Sequence, residues 1–368
     1  MTNNSIHMLD TPTLLLDVNK LEKNLYGISQ IAKTNQIQWR PHIKTHKSIR
    51  IAQMQLELGA CGITVAKLEE AELMVKAGIK NILIAYPLSS PQKLERLRVL
   101  HQKAKLTIAI DSLDQAQLVS QAFQGTTPIT IWIKVNSGLN RCGVEENEVL
   151  PLASALVKLP NLNLNGIFTH AGHSYAATSK TEIEQIAREE ANAVLDSAEA
   201  CRNAGIPIIH RSIGSTPTFK YGATIKGITE IRPGNAAFYD MCQVGLGVAT
   251  QSQCALTVLA SVISIKKDRI IFDTGSKALS LDQGAHGNKS VAGYGFFIDH
   301  PEIMLARLSE EHGIGTTNGG ATSLKLTDKV QIIPNHSCVV ANLFDEYIIH
   351  RDGEILGSWP VDARGKLK

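Results

Sequence analysis

Eight short runs of β-branched and apolar residues, separated by longer helical stretches, constrain this chain more than any other feature. They are TLLLDV from Thr13, IQWRPHI from Ile37, GITVA from Gly62, NILIAY from Asn81, LTIAID from Leu106, ITIWIKV from Ile129, LNGIFTH from Leu164 and IPIIHRSIG from Ile206. Between them lie amphipathic patterns. KLEEAELMVKA stops at Gly78, and the long pattern from Thr181 to Asn203 stops before Gly205; glycine accepts the left-handed turn that ends a helix. Such alternation predicts parallel strands joined by crossover helices. Eight units in about 250 residues fit a closed (β/α)8 barrel better than a doubly wound sheet.

The rhythm changes near residue 250. LTVLASVISI, KKD and RIIFDTG read as a hairpin, and the stretch from Val330 to Trp359 reads as strands broken by Pro334-Asn335 and Asp352-Gly353. The expected fold is therefore α/β, with an N-terminal TIM-type barrel over residues 11–249 and a C-terminal β domain over 250–368. The first ten residues are expected to pack on that β domain.

Composition narrows the function. The chain has 368 residues, 43% of them hydrophobic, and a net charge of +3. That charge is too mild for a nucleic-acid groove. No run approaches the roughly 18 apolar residues of a membrane helix. The opening MTNNSIHMLD lacks the basic and apolar regions of a signal peptide. The six cysteines form no CxxC pair, so reduced thiols in the cytoplasm are expected.

A barrel places its chemistry at the C-terminal ends of its strands. The run from Ile37 leads into Arg40-Pro41-His42-Ile43-Lys44-Thr45-His46-Lys47. A buried lysine there can hold an aldehyde cofactor; a solvated basic loop is the plain alternative. The run from Ile129 leads into a turn framed by Gly138 and Gly143 that carries Arg141. The run from Leu164 leads into Thr169-His170-Ala171-Gly172-His173-Ser174-Tyr175, a dense set of acid/base and stacking groups. Gly214-Ser215-Thr216-Pro217-Thr218 and Glu230-Ile231-Arg232-Pro233-Gly234-Asn235 are small-residue turns able to cradle a phosphate. Together these form a pyridoxal phosphate constellation. In the β domain, His336 and Cys338 stand two apart. On a strand they would share a face, where imidazole and thiolate suit a divalent metal such as Zn²⁺.

PHIKTHK, ITVAKLEEAE, the Arg141 turn, THAGHSY, GSTPT, EIRPGN, LSEEHG and PNHSC occur here in that order. Over nearly the whole chain this order resembles the D-serine dehydratase and D-threonine aldolase family of pyridoxal phosphate enzymes, which have an alanine-racemase-like barrel followed by a β domain. The resemblance implies that Lys44 bonds the cofactor and that Arg141, Tyr175, Gly214, Ser215, Thr216, Gly234 and Asn235 surround it. It further implies that His336 and Cys338 hold a divalent metal, Zn or Mn, and that His173 is a candidate catalytic base. The substrate would be a D-3-hydroxy amino acid. THAGHSY and the His-x-Cys pair look more like the dehydratase branch, which converts D-serine to pyruvate and ammonia. D-threonine aldolases tend to carry Tyr-His-Gly and His-x-Asp at the matching places. D-threonine cleavage to glycine and acetaldehyde, and a 3-hydroxy-D-aspartate lyase, stay open alternatives. So do an amino-acid racemase and a non-catalytic cofactor carrier. The resemblance also implies a homodimer.

Overall fold

A computed structural model describes residues 4–317, 320 and 322–368; residues 1–3 of the N-terminal ten lie outside the described residues. The first sheet has eight strands, all parallel to their neighbours: Gln38–Trp39, Ile63–Val65, Asn81–Ile84, Lys105–Ile110, Ile129–Lys134, Leu162–Phe168, His210–Ile213 and Glu230–Ile231. A bridge between His42 and Thr64 joins the extension of the first strand to the second, closing the barrel. Outward-facing Ile82, Ile84, Ile108, Ile110, Ile131 and Ile133 are fully buried beneath the helices. These strands are covered on both sides, which is why they read as unbroken apolar runs.

The barrel interior is unusually polar. Its apolar cluster holds only Leu83, Ala109, Trp132 and Phe168. Beside it, the fully buried Glu230 accepts from Arg40 Nε at 2.9 Å and from Ser212 Oγ at 2.7 Å. Ser212 in turn accepts from Arg232 Nη1 at 2.5 Å. Trp132 Nε1 donates to Asn165 Oδ1 at 2.8 Å and lies flush against Gly166, where an added Cβ would sit 2.5 Å from that nitrogen.

Two assignments from the sequence are corrected. TLLLDV is not a barrel strand. Thr13–Asp17 pairs antiparallel with Leu256–Ile265 and parallel with Glu346–Arg351 in the second sheet. Three consecutive leucines buried on both faces look alike in either sheet, so the pattern carries no sheet address. The eighth barrel strand is Glu230–Ile231, which the sequence presents as a turn. Its two residues, one of them charged, make no apolar run; strands on both sides define it.

In the second sheet six strands form an antiparallel ring: Leu256–Ile265, Ile270–Phe272, Gly313–Thr316, Met304–Leu308, Phe296–Phe297 and Lys329–Ile333. Glu354–Pro360 ends the sheet beyond Glu346–Arg351, and Ser5 bridges to Glu354. The predicted hairpin of Leu256–Ile265 with Ile270–Phe272 is present. Among the described residues no helix is long and apolar enough to cross a membrane.

The second unit reaches the barrel just past Lys44. Tyr347 donates to His46 O at 2.6 Å, the Asp362 carboxylate accepts from Ile49 N at 2.7 Å, and Lys47 Nζ bonds both Glu70 and the Ala363 carbonyl. Burial pushes His46 down to about 3, so it is neutral within this joint.

Gly166→Ala should lower stability by about 1–3 kcal/mol, because the new methyl overlaps the Trp132 indole in a packed strand. Urea titration checks this; an unchanged midpoint would mean that the indole moves freely.

Candidate active site

The C-terminal ends of the barrel strands and one corner of the second unit enclose a cavity of about 260 Å³. Lys44, Arg141, Tyr175, Gly214, Ser215, Thr216, Gly234, Asn235, His336 and Cys338 all line it. His173 does not. Gly172–Ala176 is a 3-10 turn that turns Tyr175 into the cavity and His173 away. The His173 ring packs on Gly138 instead, 3.1 Å from where a Cβ would stand.

The histidine facing the cavity is His170, from the same motif. Its Nδ1 is 2.8 Å from Gly214 O. A carbonyl only accepts, so Nδ1 carries the proton and Nε2 is a bare acceptor. Nε2 is buried without a partner. Burial, aided by Lys44, holds this imidazole well below its ordinary range. His286 joins from the second unit, its ring edge-on to both His170 and Tyr175, and burial brings it down to about 4.

The loops are set by tight packing. A Cβ on Gly234 would fall 2.8 Å from His42 O, and one on Gly214 would fall 2.8 Å from Arg232 N. Both glycines let neighbouring strand ends approach closely. Thr216 Oγ1 accepts from Ala236 N at 3.1 Å, and Ser215 Oγ contacts Ser174 and Thr218 hydroxyls. Behind these loops lies Glu190, a fully buried residue of the long helix Lys180–Asn203. Its Oε1 accepts from Thr169 Oγ1, Ala171 N and Gly214 N, and its Oε2 from Thr218 Oγ1, all at 2.8–3.0 Å. One carboxylate thus ties the His170 loop to the Gly214 loop. Nothing in the sequence singles it out among the acids of an ordinary amphipathic helix.

The charges are arranged in two layers. Lys44, Lys134, Arg141 and Arg232 line the cavity, and no carboxylate lines it among the described residues. Burial lowers the Lys44 amine below the usual lysine range; Cys338 opposes the shift and Arg141 adds to it. Arg232, with its guanidinium 5.0 Å over the Phe168 ring, is brought down to about 10 by burial. It also donates to the Thr169 carbonyl. A positive cavity with an amine, two glycine-tightened turns and unpartnered His170 Nε2 and Asn235 Oδ1 fits an anionic aldehyde cofactor such as pyridoxal phosphate.

The metal motif is not on a strand, which is a further correction to the sequence reading. The strand ends at Ile333, His336 caps the short helix Ser337–Ala341, and Cys338 lies in its first turn. The cause is Asp240: its carboxylate accepts from Ser337 N at 2.9 Å and from Asn235 Nδ2 at 2.5 Å, drawing the chain out of the sheet. The two side chains still reach one place, because both line the cavity. Burial favours the neutral thiol, but His336, Lys44 and the Thr45 hydroxyl at 3.2 Å outweigh it and lower the Cys338 pKa. His336 Nδ1 is 2.6 Å from Asp282 Oδ2. That bond fixes the ring through Nδ1 and leaves Nε2 for a ligand. Imidazole and thiolate fit a zinc-type ion. Among the described residues no group of three or more such donors occurs, so other positions would fall to small ligands.

Comparison with known proteins agrees with this geometry. Residues 16–241 match the family "Alanine racemase, N-terminal domain" and residues 255–350 match "Putative serine dehydratase domain". The chain is 33% identical to a D-threo-3-hydroxyaspartate dehydratase of Delftia sp. (strain HT23), over 94% of this chain and 96% of that one. It is 30% identical to a D-serine dehydratase of Dictyostelium discoideum, over 97% and 98%. A crystal structure of D-threonine aldolase from Filomicrobium marinum superposes with a TM-score of 0.91 at 30% identity, covering 99% of this chain and 98% of that one.

Glu190→Ala should strand four buried donors. We expect a stability loss of about 3 kcal/mol or more in urea titration, together with faster cofactor release on dialysis. Glu190→Gln should fall between the two. Unchanged stability and retention in both variants would remove the clamp.

Proposed function

The chain belongs to the family of alanine-racemase-like barrels followed by a serine dehydratase domain, as a pyridoxal-phosphate-dependent lyase of D-hydroxy amino acids, and within it we propose that the protein converts D-serine to pyruvate and ammonia. The observation that carries this reading is the His336–Cys338 pair opening into the same cavity as Lys44. A hydroxyl is a poor leaving group, and a donor pair beside the reacting amine is where assistance to its departure is needed.

When bound, pyridoxal phosphate supplies an electron sink for charge developing at Cα, and a divalent cation supplies Lewis acidity for the loss of hydroxide. Lys44 would hold the cofactor and, once freed by the incoming amino acid, take the Cα proton; its lowered pKa leaves more free amine near neutrality. Backbone N–H groups of the Ser215–Thr216 and Gly234–Asn235 turns would take the phosphate. Tyr175 and Arg141 would border the ring. The surplus of cations would draw the substrate carboxylate. His336 and Cys338 would hold the metal, with Asp282 orienting the imidazole.

D-threonine cleavage is the second reading, favoured by one observation: His170 Nε2 is a bare acceptor facing the cavity, able to take a hydroxyl proton. It replaces His173, which lies outside the cavity. We further propose a cytoplasmic homodimer, on the family resemblance and the reduced thiols. Equilibrium sedimentation tests the oligomeric state.

Product analysis of the metal-loaded enzyme decides the reaction. Pyruvate from D-serine is expected; glycine and acetaldehyde from D-threonine as the main products would overturn the dehydratase. Lys44→Ala should abolish the visible absorbance of the bound cofactor along with activity. Cys338→Ala should lose activity that added Zn²⁺ or Mn²⁺ does not fully restore, and full activity without metal would end the metal role.

A further inference from the structure

One cation of the cavity wall, Lys134, is paired with a thiol that lies outside the lining. Lys134 ends the barrel strand Ile129–Lys134, is 4% exposed and lines the cavity. Its Nζ lies 3.0 Å from Cys142 Sγ. Among the described residues that sulfur is the hydrogen-bond partner of the amine; the other feature near Nζ is the Phe168 ring at 5.8 Å. A buried lysine ordinarily finds a carboxylate, so a thiol in that place is informative.

The backbone holds the two groups together. Val135 and Val144 form a bridge, Asn136 N donates to Val144 O at 2.8 Å, and Val144 N donates to Lys134 O at 3.0 Å. These contacts close the neck of the 136–143 loop. Gly143 sits at φ +115°, and a Cβ there would meet Asn136 N at 2.8 Å. Its N–H donates to Asp111 Oδ2 at 3.1 Å. Cys142 is therefore pinned against Lys134 rather than brushing it from a free loop. Cys142 is partly exposed, so small oxidants can approach it, whereas Lys134 is almost wholly buried. Arg141, the next residue, lines the cavity.

We propose that Lys134 and Cys142 form a reversible covalent N–O–S crosslink under peroxide, a redox switch built into the cavity wall. The thiolate attacks the first peroxide, so that an S–O bond forms, the O–O bond breaks, sulfur loses two electrons and water leaves. A second peroxide accepts two electrons as the Lys134 nitrogen bonds the sulfenic oxygen, and two further waters leave. Two equivalents of a dithiol return the amine, the thiol and one water. The amine is lowered by burial, which favours its nucleophilic form. Crosslinking replaces a cationic ammonium by a weakly basic nitrogen and ties down the loop bearing Arg141. The cavity thereby loses positive charge that attracts anionic ligands.

The test uses the cofactor-loaded enzyme treated with hydrogen peroxide. Wild type should gain about 14 Da in intact mass, one oxygen less two hydrogens. Peptide mapping should join Lys134 to Cys142, and dithiothreitol should reverse the mass change together with the accompanying activity loss. Lys134→Arg should stop at oxidised Cys142 with no crosslink, and Cys142→Ser should leave Lys134 unmodified. Whole-oxygen additions alone in wild type, or a loss of two hydrogens without added oxygen, would overturn the crosslink. So would the same mass change in Lys134→Arg.

Discussion

The barrel depends on one buried carboxylate at its weakest seam. The first and eighth strands, Gln38–Trp39 and Glu230–Ile231, are two residues each, too short for their ladder to hold a cylinder closed. Glu230 lies at that seam and binds Arg40, just past the first strand, and Ser212 of the seventh. Burying such a pair is costly, and its attraction offsets that cost only when the remaining donors and acceptors are also satisfied. Here Arg40 has Asn81 as a further acceptor at 3.0 Å, and Ser212 passes the chain of bonds on to Arg232. Closing the cylinder and aiming a guanidinium into the cavity are thus one event.

The same logic repeats outward. Glu190 stands behind the His170 and Gly214 loops, Asp240 behind Asn235 and Ser337, and Asp282 behind His336. Glu190 and Asp240 are buried carboxylates, and none of the three lines the cavity. The acids hold the framework while lysine and arginine face inward. This layering gives a positive interior, which suits a phosphate and an amino-acid carboxylate together.

Much of this was legible in the sequence. The strand–helix rhythm showed the barrel, because doubly covered strands write unbroken apolar runs. The strand-end motifs located most of the cavity, because barrel geometry converts "end of a run" into "rim of a site". What stayed hidden was set by tertiary contacts. Leu14, Leu15 and Leu16 are buried whichever sheet takes them. Glu230 becomes a strand residue only through its neighbours. The choice between His170 and His173 turns on a 3-10 turn that no periodicity announces. The helix at Ser337 exists because Asp240, almost a hundred residues earlier, receives its first N–H. Glu190 has no local mark at all.

The placement of Thr13–Asp17 bears on how the protein is made. That strand is made well before its partners, since the antiparallel one starts at Leu256 and the parallel one at Glu346. At ordinary synthesis rates of about 5–20 residues per second, the nascent leucines lack partners for a time on the order of tens of seconds. The barrel strands can assemble during that interval, while an apolar strand stays tethered beside them with both edges bare. Natural sheets guard such edges against pairing with other chains. Here the guard comes late in synthesis: the edges of this strand are covered only once the segments from Leu256 and Glu346 have been made.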